Sequence, residues 1–266
     1  MNEFINRTIF GALYVAVVVC CVVFSQTATL YLFLAVTIAA VLEFHKLMKS
    51  PTSTTLWSLC AAVILYLGNG ELLFKVILIL LLIGALVAEV FRRGDAPIRD
   101  WSNVVCSVFM LAWPLSLMNQ ILEMGEWSTT RYILLALFVC IWANDSGAYC
   151  VGSLIGKHKM IPRVSPGKSW EGLVGGFIFS LIAGYIFSIF VKEYSLLQWL
   201  IIAFTISVFG TFGDLVESMI KRSVGVKDSG KFLPGHGGVL DRFDSILLAT
   251  PVLWLLLQLF ESIEKL

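Results

Sequence analysis

Apolar and polar positions along this chain fall in long blocks rather than in an alternating pattern. Nine apolar stretches run at about 8–25, 27–44, 54–69, 72–91, 102–122, 132–155, 172–191, 196–220 and 239–261. Each approaches or exceeds the ~20 residues needed to cross a bilayer as a helix. They predict an all-α, polytopic integral membrane protein of about nine transmembrane helices. The run after Arg7 resembles a signal peptide, but its length and the second span that follows at once predict an uncleaved helix. Pro114 is expected to kink the fifth span, which neighbouring helices can accommodate.

The basic residues orient these spans. With the N-terminus in the cytoplasm, Arg7, Lys46, Lys49, Arg92, Arg93, Arg99, Lys157, Lys159, Arg163, Lys168, Lys221, Arg222, Lys227, Lys231 and Arg242 all fall in inside segments. Only Lys75, Arg131, Lys192 and Lys265 remain outside, as the positive-inside rule requires. This predicts an N-in, C-out topology with the two long polar loops, 156–171 and 221–238, on one cytoplasmic face. Glu43 and Glu89 fall at cytoplasmic helix ends, where exposed carboxylates need no function. With no internal repeat or linker, residues 1–266 read as a single membrane domain. Residues 1–130 are its transmembrane scaffold, and 131–266 carry the chemistry.

Composition agrees. Of 266 residues 58% are hydrophobic and only 14% charged, against about 25% charged in a soluble domain. The net charge of +1 says nothing about partners, since its distribution matters and not its total; no nucleic-acid partner is expected. The six cysteines all lie in apolar runs and read as buried free thiols, without metal or disulfide spacing. His45, His158 and His236 are scattered and lie outside the apolar cores.

Against this background, the ionisable residues in or beside spans stand out, because a charge at a helix centre costs about 3 kcal/mol on insertion scales. Asp145, within Asn144–Tyr149, follows a dozen apolar residues. It reads as a carboxylate facing a polar pocket, or as a buried acid satisfied by neighbouring hydroxyls or a lysine. The loop GKHKMIPRVSPGKSWEG that follows, with Ser165, Lys168 and Ser169 before a helix, suits polyphosphate; setting topology alone would explain its charge but not its Ser-Pro-Gly-Lys-Ser. Gly167-Lys168-Ser169 resembles the end of a P-loop, but the earlier glycine is replaced by Pro162 and no strand is expected before it. The densest cluster lies between Gly213 and Ser245. On a helix, Asp214, Glu217, Ser218 and Lys221 share one face, and Asp241 and Asp244 share a face of the next. A Gly/Pro-rich turn between two such helices would let the acids converge. Carboxylates without thiols are hard ligands suited to Mg²⁺, completed by substrate phosphates, while Lys221, Arg222, Lys227 and Arg242 would neutralise phosphate oxygens. Phosphoryl or nucleotidyl transfer needs no protein nucleophile, and no Ser-His-Asp arrangement is present. His236 reads equally as a turn residue or a catalytic one.

These residues resemble a known family. Ser218-x-Ile220-Lys221-Arg222, four residues, Lys227-Asp228-x-Gly230-x-x-Leu233-Pro234-x-His236-Gly237-Gly238-Val239-x-Asp241-Arg242-x-Asp244 is similar, without a gap, to the signature of the phosphatidate cytidylyltransferases. Asp145–Tyr149 and Ser165–Gly172 resemble that family's other polar blocks. The resemblance covers about 145–250; residues 1–130 match only as hydrophobic spans. It implies transfer of CMP from CTP to phosphatidic acid, giving CDP-diacylglycerol and pyrophosphate in phospholipid biosynthesis. It further implies Mg²⁺, with a second monovalent cation such as K⁺, a homodimer, and a bacterial-type inner membrane with the site at its cytoplasmic face. By that resemblance Asp214 and Asp241 are principal metal ligands helped by Ser218, and Asp244 lies in or next to the metal's shell. Lys221, Arg222 and Lys227 hold the triphosphate or lipid phosphate, and Lys168 and Ser169 close the pocket. Asp228 and His236 are signature residues without a placed role. Other readings are a CTP-dependent polyprenol or dolichol kinase, a synthase using an ether-lipid acceptor, and a cation transporter with Asp145, Asp214 and Asp241 along an ion path.

Overall fold

A computed structural model describes residues 3–68, 71–230 and 237–264. It is an all-α integral membrane protein with one small hairpin. The helices are α1 (Glu3–Phe24), α2 (Gln26–Leu47), α3 (Thr52–Leu67), α4 (Leu72–Phe91), α5 (Pro97–Ser107) and α6 (Trp113–Glu123), then α7 (Trp127–Ile155), α8 (Trp170–Phe190), α9 (Leu196–Ser223), α10 (Leu240–Phe243) and α11 (Ile246–Glu264). Strands β1 (Lys159–Ile161) and β2 (Ser165–Ser169) lie between α7 and α8. Among the described residues seven helical segments are long and apolar enough to span, α5 and α6 counting as one and α10 and α11 as another; Ile9–Phe24 and Thr52–Leu67 are shorter apolar helices.

The chain divides into two compact units, Met1–Gln120 with Val224–Phe243, and Ile121–Ser223 with Asp244–Leu266. In the first, α3 packs against α2, α4 and α5, and Val41 of α2, Ala62 of α3 and Ala112 form a buried apolar cluster. A π-helical turn, Val108–Ala112, joins α5 to α6 just before Pro114. Proline lacks the N–H that would continue the i→i−4 ladder, and a wide turn before it relieves the mismatch. Two expectations change here. Glu89 is buried and ion-paired at 2.5 Å with Arg92, which also meets Asp100 at 2.5 Å; a buried carboxylate is kept only when paired. His45 is likewise buried, its Nε2 3.3 Å from Ser107 Oγ, because α2 runs on to Leu47 and packs this turn against α5.

In the second unit α7, α8 and α9 approach closely through small residues, the usual solution where lipid offers no hydrophobic drive between helices. A Cβ on Gly175 would lie 3.0 Å from the Gly147 carbonyl oxygen, and one on Gly176 would lie 2.8 Å from that of Asn144. Asn144 Oδ1 accepts the Ser207 hydroxyl at 2.5 Å, and its Nδ2 donates to Thr211 Oγ1 at 3.3 Å, fixing the rotation of α7 against α9. The cysteines depart from the buried reading: only Cys140 is buried, while Cys20, Cys60 and Cys150 are exposed. An apolar run in a bilayer protein faces lipid as readily as core.

Candidate active site

The loop 156–171 folds rather than merely carrying charge. Lys159 pairs with Ser169 and Ile161 with Ser165 in an antiparallel hairpin, closed where the Trp170 amide donates to the His158 carbonyl at 2.9 Å. A strand therefore does precede Gly167-Lys168-Ser169, but it pairs within the hairpin instead of feeding a P-loop. Ser169 caps α8, its Oγ accepting the Gly172 amide at 3.1 Å, a bond typical of N-cap serines. Arg222 Nε donates to the Val164 carbonyl at 3.3 Å, holding the hairpin against α9.

This hairpin, α7, α8 and α9 enclose a cavity of about 640 Å³. Asp145, Lys168, Ser169 and Asp214 all line it. Asp145 is exposed on α7 and lines that cavity. Lys168 Nζ lies 2.7 Å from Asp214 Oδ2, both side chains about a quarter exposed.

Beside this pair the acids gather. Asp214, Glu217 and Asp244 each present a carboxylate oxygen within 4.8 Å of the other two. Two of them follow from helix geometry, since i and i+3 on α9 share a face. The third arrives by a break in the chain. The last apolar stretch is not one helix: α10 ends at Phe243, and α11 begins at Ile246. The intervening Asp244 accepts the Ser245 amide on its own Oδ1 at 2.6 Å, a local bond that competes with helix continuation. Gly213 lets α9 rest on that turn, for a Cβ there would lie 2.6 Å from the Asp244 carbonyl oxygen and 2.9 Å from that of Ser245.

At an effective dielectric of about 20, two unit charges ~5 Å apart repel by about 3 kcal/mol. The cluster is compensated by Lys168 on Asp214 and by Lys221, whose Nζ is 2.6 Å from Glu217 Oε2 in a largely buried pair. Three carboxyl groups stand beside two lysines, and the donor atoms are all hard oxygens. That donor set fits Mg²⁺. Ser218 donates to Asp214 Oδ1 at 3.2 Å, so it orients the carboxylate. Glu217 joins the predicted site residues here, and the i+3 spacing from Asp214 on α9 is the sequence signal for it.

Asp241 has a different setting. Its carboxylate accepts the Ser229 amide (3.0 Å), the Ser229 hydroxyl (2.9 Å) and the Gly238 amide (2.7 Å), tying together the two shoulders of the signature loop. The expected common helical face of Asp241 and Asp244 is interrupted, because α10 stops between them. Lys227 and Asp228 are exposed, Ser165 and Arg242 half-buried. His236 lies outside the described residues.

Fold and site together define a polytopic membrane protein in which a lysine-compensated acidic cluster adjoins a polar cavity. The sequence profile of the cytidylyltransferase family matches residues 5–260, and the chain belongs to that family. Among its relatives are proteins named phosphatidate cytidylyltransferase. That of Staphylococcus saprophyticus is 54% identical over 129 residues, 48% of this chain and 49% of the relative. That of Bacillus subtilis is 50% identical over 130 residues, 48% of each. That of Haemophilus influenzae is 47% identical over 125 residues, 45% of this chain and 43% of the relative. The chain thus spans about half the length of the curated relatives it matches.

Proposed function

We propose that this protein transfers CMP from CTP to phosphatidic acid, releasing pyrophosphate and forming CDP-diacylglycerol. The observation that carries the reading is the convergence of Asp214, Glu217 and Asp244, with Lys168 bridging from the hairpin to Asp214. A phosphate-monoester oxygen of the lipid attacks the α-phosphorus of CTP, and the bond from that phosphorus to the β-phosphate oxygen breaks. Both reactants are polyanions, so repulsion and alignment are the barriers that the site has to lower. Lys168 and Lys221, already beside the acids, offset phosphate charge from two sides, and Arg222, anchored on Val164, adds a third cation. Asp145 and Ser169 supply polar groups on the cavity wall.

Asp214, Glu217 and Asp244 would hold Mg²⁺, with Asp241 keeping the signature loop in register. When bound, that ion supplies charge neutralisation and a template for the triphosphate. A monovalent cation such as K⁺ is part of the same proposal. The reading also includes nine spans with the N-terminus inside and the cavity open to the cytoplasm, where CTP is dissolved and the lipid phosphate lies at the membrane surface.

The test is purified protein with labelled CTP and three acceptor conditions: phosphatidate, a dolichol-type alcohol, and none. Lipid-linked product is expected with phosphatidate alone, lost on chelation with EDTA and restored by Mg²⁺. Product with the alcohol instead would reject the substrate assignment. For orientation, single cysteines at Arg163 and Asp228, both exposed, are expected to react with an impermeant thiol reagent only from the cytoplasmic side. Labelling from outside intact cells would overturn the topology. Ser229 is unsuited as a probe because it is buried and bonded to Asp241.

A further inference from the structure

The signature loop is gripped from the opposite end of the sequence. Glu43, near the end of α2, accepts the Leu240 amide on Oε2 at 2.8 Å, across 197 residues. Its other oxygen, Oε1, occupies the space that a Cβ on either Gly230 or Gly238 would need. Neither glycine has a left-handed backbone, the described positive-φ glycines being Gly225 and Gly237. The nearest obstacle to a side chain at Gly230 is therefore the carboxylate of Glu43, whose side chain supplies the three atoms closest to a Cβ there. At Gly238, Ser229 Oγ crowds the same space as well.

Gly230 and Gly238 bracket the 231–236 segment, and Leu240 directly precedes Asp241. One carboxylate from α2 thus touches both shoulders of the loop. Asp241 bonds the same shoulders through Ser229 and Gly238. We propose that Glu43 is a positioning residue for Ser229–Gly230 and Gly238–Asp241, setting the separation of these two shoulders and so the placement of Asp241. This rests on the cytidylyltransferase reading for its catalytic consequence, but not for its structural one. An acid at this position is otherwise hard to account for. A merely solvated helix-end carboxylate would not hold a buried-side amide or exclude Cβ atoms from two glycines.

The experiment combines hydrogen–deuterium exchange of the peptide containing Leu240 with CTP-dependent pyrophosphate release, on intact protein in micelles. Glu43→Ala is expected to speed exchange at Leu240 and to lower kcat/KM for CTP by about 10- to 100-fold, the range for losing a hydrogen bond to a charged group. Glu43→Gln, which keeps an acceptor oxygen, is expected to restore most of the protection and activity. Gly230→Ala pushes the carboxylate aside and is expected to mimic Glu43→Ala. The double variant Glu43→Ala/Gly230→Ala should match Glu43→Ala alone within about twofold, since the two changes abolish one contact. Unchanged exchange in both Glu43→Ala and Gly230→Ala, or additive losses in the double variant, would overturn the proposal. If Glu43→Ala does not fold, Gly230→Ala against wild type decides the matter alone. Absent CTP turnover in wild type would reject the cytidylyltransferase reading, while the exchange comparison would still test the grip of Glu43.

Discussion

Asp214→Asn is expected to lower CTP- and phosphatidate-dependent pyrophosphate release by about 10³-fold, the upper range for removing one preorganised electrostatic contact. Asparagine keeps the size of the side chain and its acceptor for the Ser218 hydroxyl. It loses the carboxylate that pairs with Lys168 at 2.7 Å and one of the three carboxyl groups of the cluster. Because Asp214 is only partly buried, the fold has little reason to suffer. Size-exclusion behaviour and membrane insertion should match wild type while the rate collapses. Turnover within a few-fold of wild type would remove Asp214 from the machinery. Asp241→Asn should also inactivate, by another route. Its carboxylate accepts from Ser229 and Gly238, and an amide would turn a donor toward one of those donors.

The second large effect is at a residue with no side chain. Gly213→Ala is expected to lower activity by about 10²-fold and to raise the Mg²⁺ concentration needed for half-maximal rate. A misplacement of about 1 Å in a reacting constellation is enough for a loss of that size. The added Cβ would sit 2.6 Å from the Asp244 carbonyl oxygen, and backbone cannot swing away as a side-chain tip does. Helix α9 must retreat, carrying Asp214 and Glu217 away from Asp244. A rate assay across a Mg²⁺ titration reads the effect. An Ala variant with wild-type Mg²⁺ dependence would mean that the cluster tolerates the shift and that its geometry is not critical.

The bilayer blocks were legible because a span must be both long and apolar, and nothing in tertiary packing can disguise that. Two of the three clustered acids were legible for a similar reason: Asp214 and Glu217 lie with Lys221 on one helix, where spacing alone puts them on one face. Asp244 was placed on the wrong kind of element. Residues 239–261 read as an unbroken helix, and the break at Asp244–Ser245 depends on a local side-chain bond and on Gly213 pressing from another helix. The hairpin at 159–169 was hidden because its strands are short, with Pro162 directly after the first and Pro166 inside the second, and without alternation of apolar residues. Glu43 and Glu89 looked like ordinary solvated helix ends. Their partners, Leu240 in one case and Arg92 with Asp100 in the other, are set by packing that periodicity does not encode.

Transfer of the α-phosphorus of CTP onto a lipid phosphate is read from the position of a radiolabel. With phosphatidate and Mg²⁺, label in the α-phosphate of CTP is predicted to appear in the lipid phase as CDP-diacylglycerol, while label in the γ-phosphate is predicted to leave entirely as pyrophosphate. Label from the γ-phosphate in the lipid, with none from the α-phosphate, would identify a kinase and contradict the account.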